Sequence, residues 1–131
     1  MDPISLIVAA LVAGASTGLR DTATDAVKDA YKGLKGLLQR KFGSHTPVAQ
    51  ALADVDASPE VAGEALRAGL AGTGADQDVE LVRAAQALFA EYDPEGTEAG
   101  RYDVQIGNAV YVGRDAKGVV GVNYGNVEMN F

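Results

Sequence analysis

Residues 19–42, LRDTATDAVKDAYKGLKGLLQRKF, decide the fold class. Leu19, Ala23, Ala26, Val27, Ala30, Tyr31, Leu34, Leu37 and Leu38 recur at spacings of three and four, while Arg20, Asp21, Asp25, Lys28, Asp29, Lys32 and Lys35 fill the other faces. That period belongs to an amphipathic helix with one side turned to a core. Its acids come early and its bases Lys35, Arg40 and Lys41 late, as the helix dipole prefers. Gly43-Ser44 ends it.

Before this helix, residues 3–19, PISLIVAALVAGASTGL, carry no charge. The run falls just short of the ~20 apolar residues that cross a bilayer, and Gly14 and Gly18 weaken its far end. Asp2 puts a negative charge where a secretory leader needs a positive one. Asp2-Pro3 reads instead as a cap followed by a first-turn proline, opening a very apolar helix. Ile4, Leu6, Ile7, Val8, Leu11 and Val12 cover most of its circumference. Burial in a bundle, burial in lipid, or each in turn all suit such a helix.

On the other side, Thr46-Pro47 and Ser58-Pro59-Glu60 each place a hydroxyl cap before a proline, which predicts short helices to about Val55 and to Leu70. After the Gly72-Thr73-Gly74 break, Asp76 or Asp78 caps a further helix through Leu81, Val82, Ala85, Leu88, Phe89 and Tyr92. The expected fold is therefore mainly α, a bundle of four to five helices over residues 1–92. Residues 93–100, DPEGTEAG, read as an acidic linker. Beyond them Val104, Ile106, Val110 and Val112 alternate, and Val119, Val120, Val122 and Tyr124 follow, so the chain is expected to end in a short β-forming tail.

The tail repeats itself. Val104-Gln105-Ile106-Gly107-Asn108 aligns with Val122-Asn123-Tyr124-Gly125-Asn126, and residues 101–131 contain no proline. Valine, tyrosine and side-chain amides without net charge favour stacking between identical chains, where amides form ladders and apolar side chains close a dry interface. The alternative is that two hairpins fold onto the bundle and complete its core.

The net charge of −7 argues against nucleic acid as a partner. It is unevenly spread: residues 1–45 hold six Lys/Arg against four Asp, residues 46–100 two Arg against eleven acids, and residues 101–131 three of each. With no cysteine and one histidine there is no thiolate site, no Cys nucleophile and no multi-His metal site. His45 lies in a Gly-Ser-His-Thr-Pro loop without a nucleophile signature. Asp76, Asp78 and Glu80 lack the glycine and terminal glutamate of a calcium loop, and Gly69, Gly72 and Gly74 lack the spacing of a phosphate loop. No catalytic residue, metal or cofactor is expected, and the chain is not expected to be an enzyme.

Val104-Gln105-Ile106-Gly107 resembles the V/I-Q-I/V-G core of the RIP homotypic interaction motif (RHIM), the amyloid-forming motif of necroptosis kinases and their adaptors. The opening stretch, MDPISLIVAALVAGASTGLRDTATDAVKDAYKGLKGLLQRKF, resembles the N-terminus of bacterial, mostly actinobacterial, Bell-domain proteins. These are helical proteins with a C-terminal amyloid signalling motif, compared with fungal HeLo and animal necroptosis executioners. The resemblance implies a cytoplasmic cell-death effector. Its tail would be templated by a nucleotide-binding oligomerisation receptor with a matching motif and would assemble with further copies of itself. Its helical domain would then move to the cell membrane and permeabilise it, engaging lipid through residues 3–19. A non-lytic adaptor is the alternative. The second copy departs from the motif, with Asn123 in place of Gln and Tyr124 in place of Ile.

Overall fold

The computed structural model describes residues 2–18, 24–43 and 46–116. Among them are helices α1 (Pro3–Gly18), α2 (Asp25–Phe42), α3 (Pro47–Asp54), α4 (Pro59–Leu70), α5 (Val79–Tyr92) and α6 (Pro94–Glu98). Strands β1 (Val104–Ile106) and β2 (Ala109–Tyr111) form an antiparallel pair, and 3-10 turns occupy Ala75–Gln77 and Gly113–Ala116. The protein is mainly helical with a short two-stranded sheet toward its C-terminal end, as the hydrophobic periods require.

The capping chemistry explains the boundaries. Thr24, Thr46 and Asp78 accept the amides of Val27, Ala49 and Leu81, closing the N-termini of α2, α3 and α5. Asp2 accepts the Ser5 amide at 2.9 Å and starts α1. Residues 19–23, which the sequence assigns to the second helix, lie outside the described residues, as do Ser44 and His45.

α1 is the axis of the bundle. It lies against α2, α4 and α5, and no residue from Pro3 to Ala15 is exposed. Leu6, Ile7 and Leu11 are fully buried and Val8 nearly so, while Ile4 and Val12 pack against the same cluster half-buried. Two glycines let helices approach closely here: a Cβ on Gly14 would lie 2.5 Å from the Tyr31 ring, and one on Gly63 of α4 would lie 2.8 Å from Val12. The Tyr31 hydroxyl donates to Asp56, which also pairs with Lys35 at 3.1 Å, so the loop after α3 clamps α2. Burial and the Asp56 carboxylate push the Tyr31 hydroxyl well above its usual pKa.

One expectation needs correction. Residues 93–100 are not an open linker: Asp93 accepts the Gly96 amide, Pro94 takes the first helical position, and Gly96 and Thr97 are buried in α6. Asp93-Pro94 is the same cap and proline signature that opens α3, applied over only five residues, whereas at α4 Pro59 takes the first position and the Ser58 hydroxyl makes no capping bond. For residues 101–116 the resting chain takes the alternative open to the tail, a hairpin folded onto the bundle. Tyr102 and Val104 are buried in one cluster with Leu6, Leu11 and Leu88. A two-stranded hairpin is marginal alone in water, and this one is held by the helix beneath it.

Candidate functional site

The hairpin turns at Gly107-Asn108, between paired Ile106 and Ala109. Gly107 has φ +60°, the left-handed value that the first central residue of a tight hairpin turn adopts. The remaining partners are Gln105 with Val110 and Val104 with Tyr111. The alternation of strands therefore sends Val104 inward and leaves Gln105 and Val110 on the outer face, where Val110 is 61 % exposed. Among the described residues the Gln105 amide bonds within the turn, to the Gly107 carbonyl at 3.1 Å. Val104, Gln105, Ile106, Gly107 and Asn108 are thus brought together as one strand and its turn. Val122, Asn123, Tyr124, Gly125 and Asn126 lie outside the described residues.

Gln86 of α5 holds the hairpin at its base. It is fully buried, donating from Nε2 to the carbonyls of Tyr102 (2.9 Å) and Tyr111 (2.8 Å). Its Oε1 accepts from Arg83 at 2.9 Å, and the same guanidinium donates to the Val112 carbonyl at 2.8 Å and sits 5.2 Å from the centre of the Tyr111 ring. Each polar group of the buried amide is used, which is the condition for tolerating it in a core.

One turn further along, Phe89 stacks on Tyr102 with ring centres 3.9 Å apart. The Tyr102 hydroxyl donates to Asp93 at 2.6 Å, and Arg101 pairs with the same carboxylate at 2.8 Å. The Tyr102 hydroxyl, the Gly96 amide and the Arg101 charge hold the Asp93 carboxyl below the usual carboxylate range. Burial and Asp93 push the Tyr102 hydroxyl up. A carboxyl with a lowered folded-state pKa contributes stability that is complete above its unfolded value near ~3.9 and is lost as pH falls through the folded value. Asp93→Asn should therefore lower the urea midpoint most at about pH 5 to 7, and the gap from the parent chain should narrow as pH falls through the folded-state value, which lies below the ordinary carboxylate range.

Sequence reasoning missed Gln86, Arg83, Tyr102 and Asp93. One signal was present: position 86 follows Val82 by four and precedes Phe89 by three, so a glutamine sits on the apolar face of α5.

The basic stretch also divides. Lys35 is engaged by Asp56, and Lys41 by Asp78 and Glu80, both at 3.0 Å. Lys28, Lys32 and Arg40 make no ion pair among the described residues. No helix of the described residues is long and apolar enough to cross a membrane. The α1 helix has 16 residues and is about 24 Å long, against a hydrocarbon core of about 30 Å.

No curated protein and no solved structure matches the chain. A family model does, over residues 1–129, a span that takes in the helices and the hairpin together. The chain belongs to the Het-E N-terminal domain family, which is related to the fungal HeLo-like cell-death domains.

Proposed function

We propose that this chain is a programmed cell-death effector whose C-terminal motif is templated by an upstream receptor and whose first helix then acts on the membrane. The observation that carries the reading is that both ends meet in one apolar cluster: Val104 of the motif is buried with Leu6, Ile7, Val8 and Leu11 of α1. Helix α5 is their shared wall, lying against α1 and bearing the hairpin through Gln86 and Phe89. In cross-β, Val104-Gln105-Ile106-Gly107 pairs with the same residues of neighbouring chains, whereas at rest Val104–Ile106 pairs with Ala109–Tyr111 of its own chain. Templating thus opens the hairpin, and Val104 and Tyr102 leave the core beside α1.

Assembly would bring many bundles to one fibril, and crowding would favour transfer of the apolar helix to lipid. With about 24 Å of length, α1 suits insertion into one leaflet better than a complete crossing. Lys28, Lys32 and Arg40, which make no ion pair among the described residues, would meet anionic headgroups, each contributing about 1 kcal/mol near the surface. The effector would rest in the cytoplasm and move to the cell membrane on activation. Its partners would be further copies of itself, lipid and a nucleotide-binding oligomerisation receptor, with no enzymatic step and no cofactor.

Gln105 gives the cleanest test. Its side chain is exposed and, among the described residues, hydrogen-bonds to the Gly107 carbonyl of its own turn, so Gln105→Lys should leave stability within about 0.5 kcal/mol of the parent. In a stack, lysines would repeat every ~4.8 Å, an arrangement that like charges oppose. Full-length chain seeded with fibrils of a residues 101–131 peptide should convert and leak anionic liposomes, and Gln105→Lys should suppress both. Equal seeding by the variant would overturn the templating reading. Conversion with intact liposomes, together with harmless expression in bacteria, would favour the adaptor.

A further inference from the structure

The interface between hairpin and bundle is unlike the rest of the core. Elsewhere α5 presents Leu81, Val82, Ala85 and Leu88, all fully buried, to its neighbours. Under the hairpin it presents a primary amide, and beside it a guanidinium. Both N–H groups of the Gln86 amide are spent on backbone carbonyls at the two ends of the hairpin, Tyr102 before β1 and Tyr111 at the end of β2. The Arg83 guanidinium adds the next carbonyl, that of Val112, and orients the amide by donating to its Oε1. No glutamine rotamer with oxygen and nitrogen exchanged would serve, because it would set oxygen against two carbonyls and nitrogen against a cation.

An interface of this kind differs from an apolar one in how it comes apart. When an apolar lid leaves, it exposes a greasy wall to water, and the cost grows with the area uncovered. When this hairpin leaves, the amide, the guanidinium and the three carbonyls they hold all regain water as a partner. Closed, the same groups are fully paired and directional, and they fix the two ends of the hairpin in register on α5. The polar part of the interface is thus firm while shut and adds little to the cost of opening, which falls instead on Tyr102 leaving Phe89 and Val104 leaving the cluster around α1.

We propose that Gln86, positioned by Arg83, is a latch that keeps the motif hairpin folded on the bundle and sets the threshold at which it can be captured by a template. The regulatory meaning rests on the reading of Val104–Gly107 as a templated motif; the latch itself is a statement about local opening. Hairpin opening should be separable from unfolding of α2, α3 and α4, because among the described residues the side-chain hydrogen bonds of Gln86 and Arg83 go to each other and to the carbonyls of residues 102, 111 and 112.

Gln86→Glu tests this with almost no change of shape. The carboxylate accepts but does not donate, so it keeps Arg83 and confronts the Tyr102 and Tyr111 carbonyls with negative charge. In the full-length chain, amide hydrogen exchange over residues 102–113 should accelerate roughly ten- to a hundredfold while α2, α3 and α4 keep their protection. Arg83→Ala should accelerate the same segment by a smaller factor, and Arg83→Lys should recover part of the loss; this pair stands in for the glutamate variant if that chain fails to fold. Fibrils of the residues 101–131 peptide added to full-length chain should convert Gln86→Glu after a shorter lag than the parent. Unchanged exchange in the hairpin, or acceleration spread evenly over the bundle, would overturn the latch. Failure of the peptide to form fibrils would remove the templating reading and leave the exchange experiment to decide the latch alone.

Discussion

Ending the chain after Gly100 should bring the bundle close to unfolding. The truncation takes Tyr102 off the Phe89 ring and Val104 out of the cluster around α1. Loss of a buried aromatic side chain alone costs about 3–5 kcal/mol, and domains of this size carry only about 5–15 kcal/mol in total. Asp93 also loses Tyr102 and Arg101, two of the donors that hold its carboxylate, and Gln86 becomes a polar opening in the side of α5. A chain of residues 1–100 should show a markedly lower urea midpoint than the full chain and should bind a hydrophobic dye at neutral pH. If residues 1–100 match the full chain in urea, the hairpin is an accessory rather than part of the core, and the link between input and output fails.

The sequence leaves open whether residues 101–116 stack between chains or fold onto the bundle, and the reason is physical. Spacing of three and four in residues 24–42 shows which side of α2 is buried, because helix geometry ties face to position; Val27, Ala30, Tyr31, Leu34, Leu37 and Leu38 are all buried. Thr46-Pro47 and Ser58-Pro59 mark helix starts through local chemistry alone, which needs no knowledge of neighbours. The alternation of Val104, Ile106 and Val110 likewise identifies strands. What alternation does not contain is the surface on which a strand lands, since that depends on contacts far apart in the chain. Gln86 and Tyr102 are 16 positions apart, and Gln86 and Tyr111 25. The apolar helix illustrates the same limit: Ile4 to Val12 reads equally as a core or as a lipid segment, and in this structure it is the core.

The position of α1 also governs how its proposed output can be tested. Deleting residues 3–13 would remove the axis of the bundle, and a collapsed protein that fails to leak liposomes says nothing about insertion. Gly63 offers a finer handle. A Cβ there would sit 2.8 Å from Val12 and 3.6 Å from Val8, so Gly63→Ala forces α4 and α1 apart by a few tenths of an ångström without altering the surface of α1. Overpacking of this kind costs about 1–3 kcal/mol. Val12→Ala alone opens a small gap and costs a similar or lesser amount, of order 1 kcal/mol. Together the two changes exchange volume across the same contact, so the double variant should be more stable than the sum of the single losses requires. If α1 is the membrane-active element, Gly63→Ala should raise seeded leakage of anionic liposomes as its urea midpoint falls, and Val12→Ala added to it should return both toward the parent values. Leakage that falls with stability in Gly63→Ala, instead of rising, would assign membrane action to some other part of the chain.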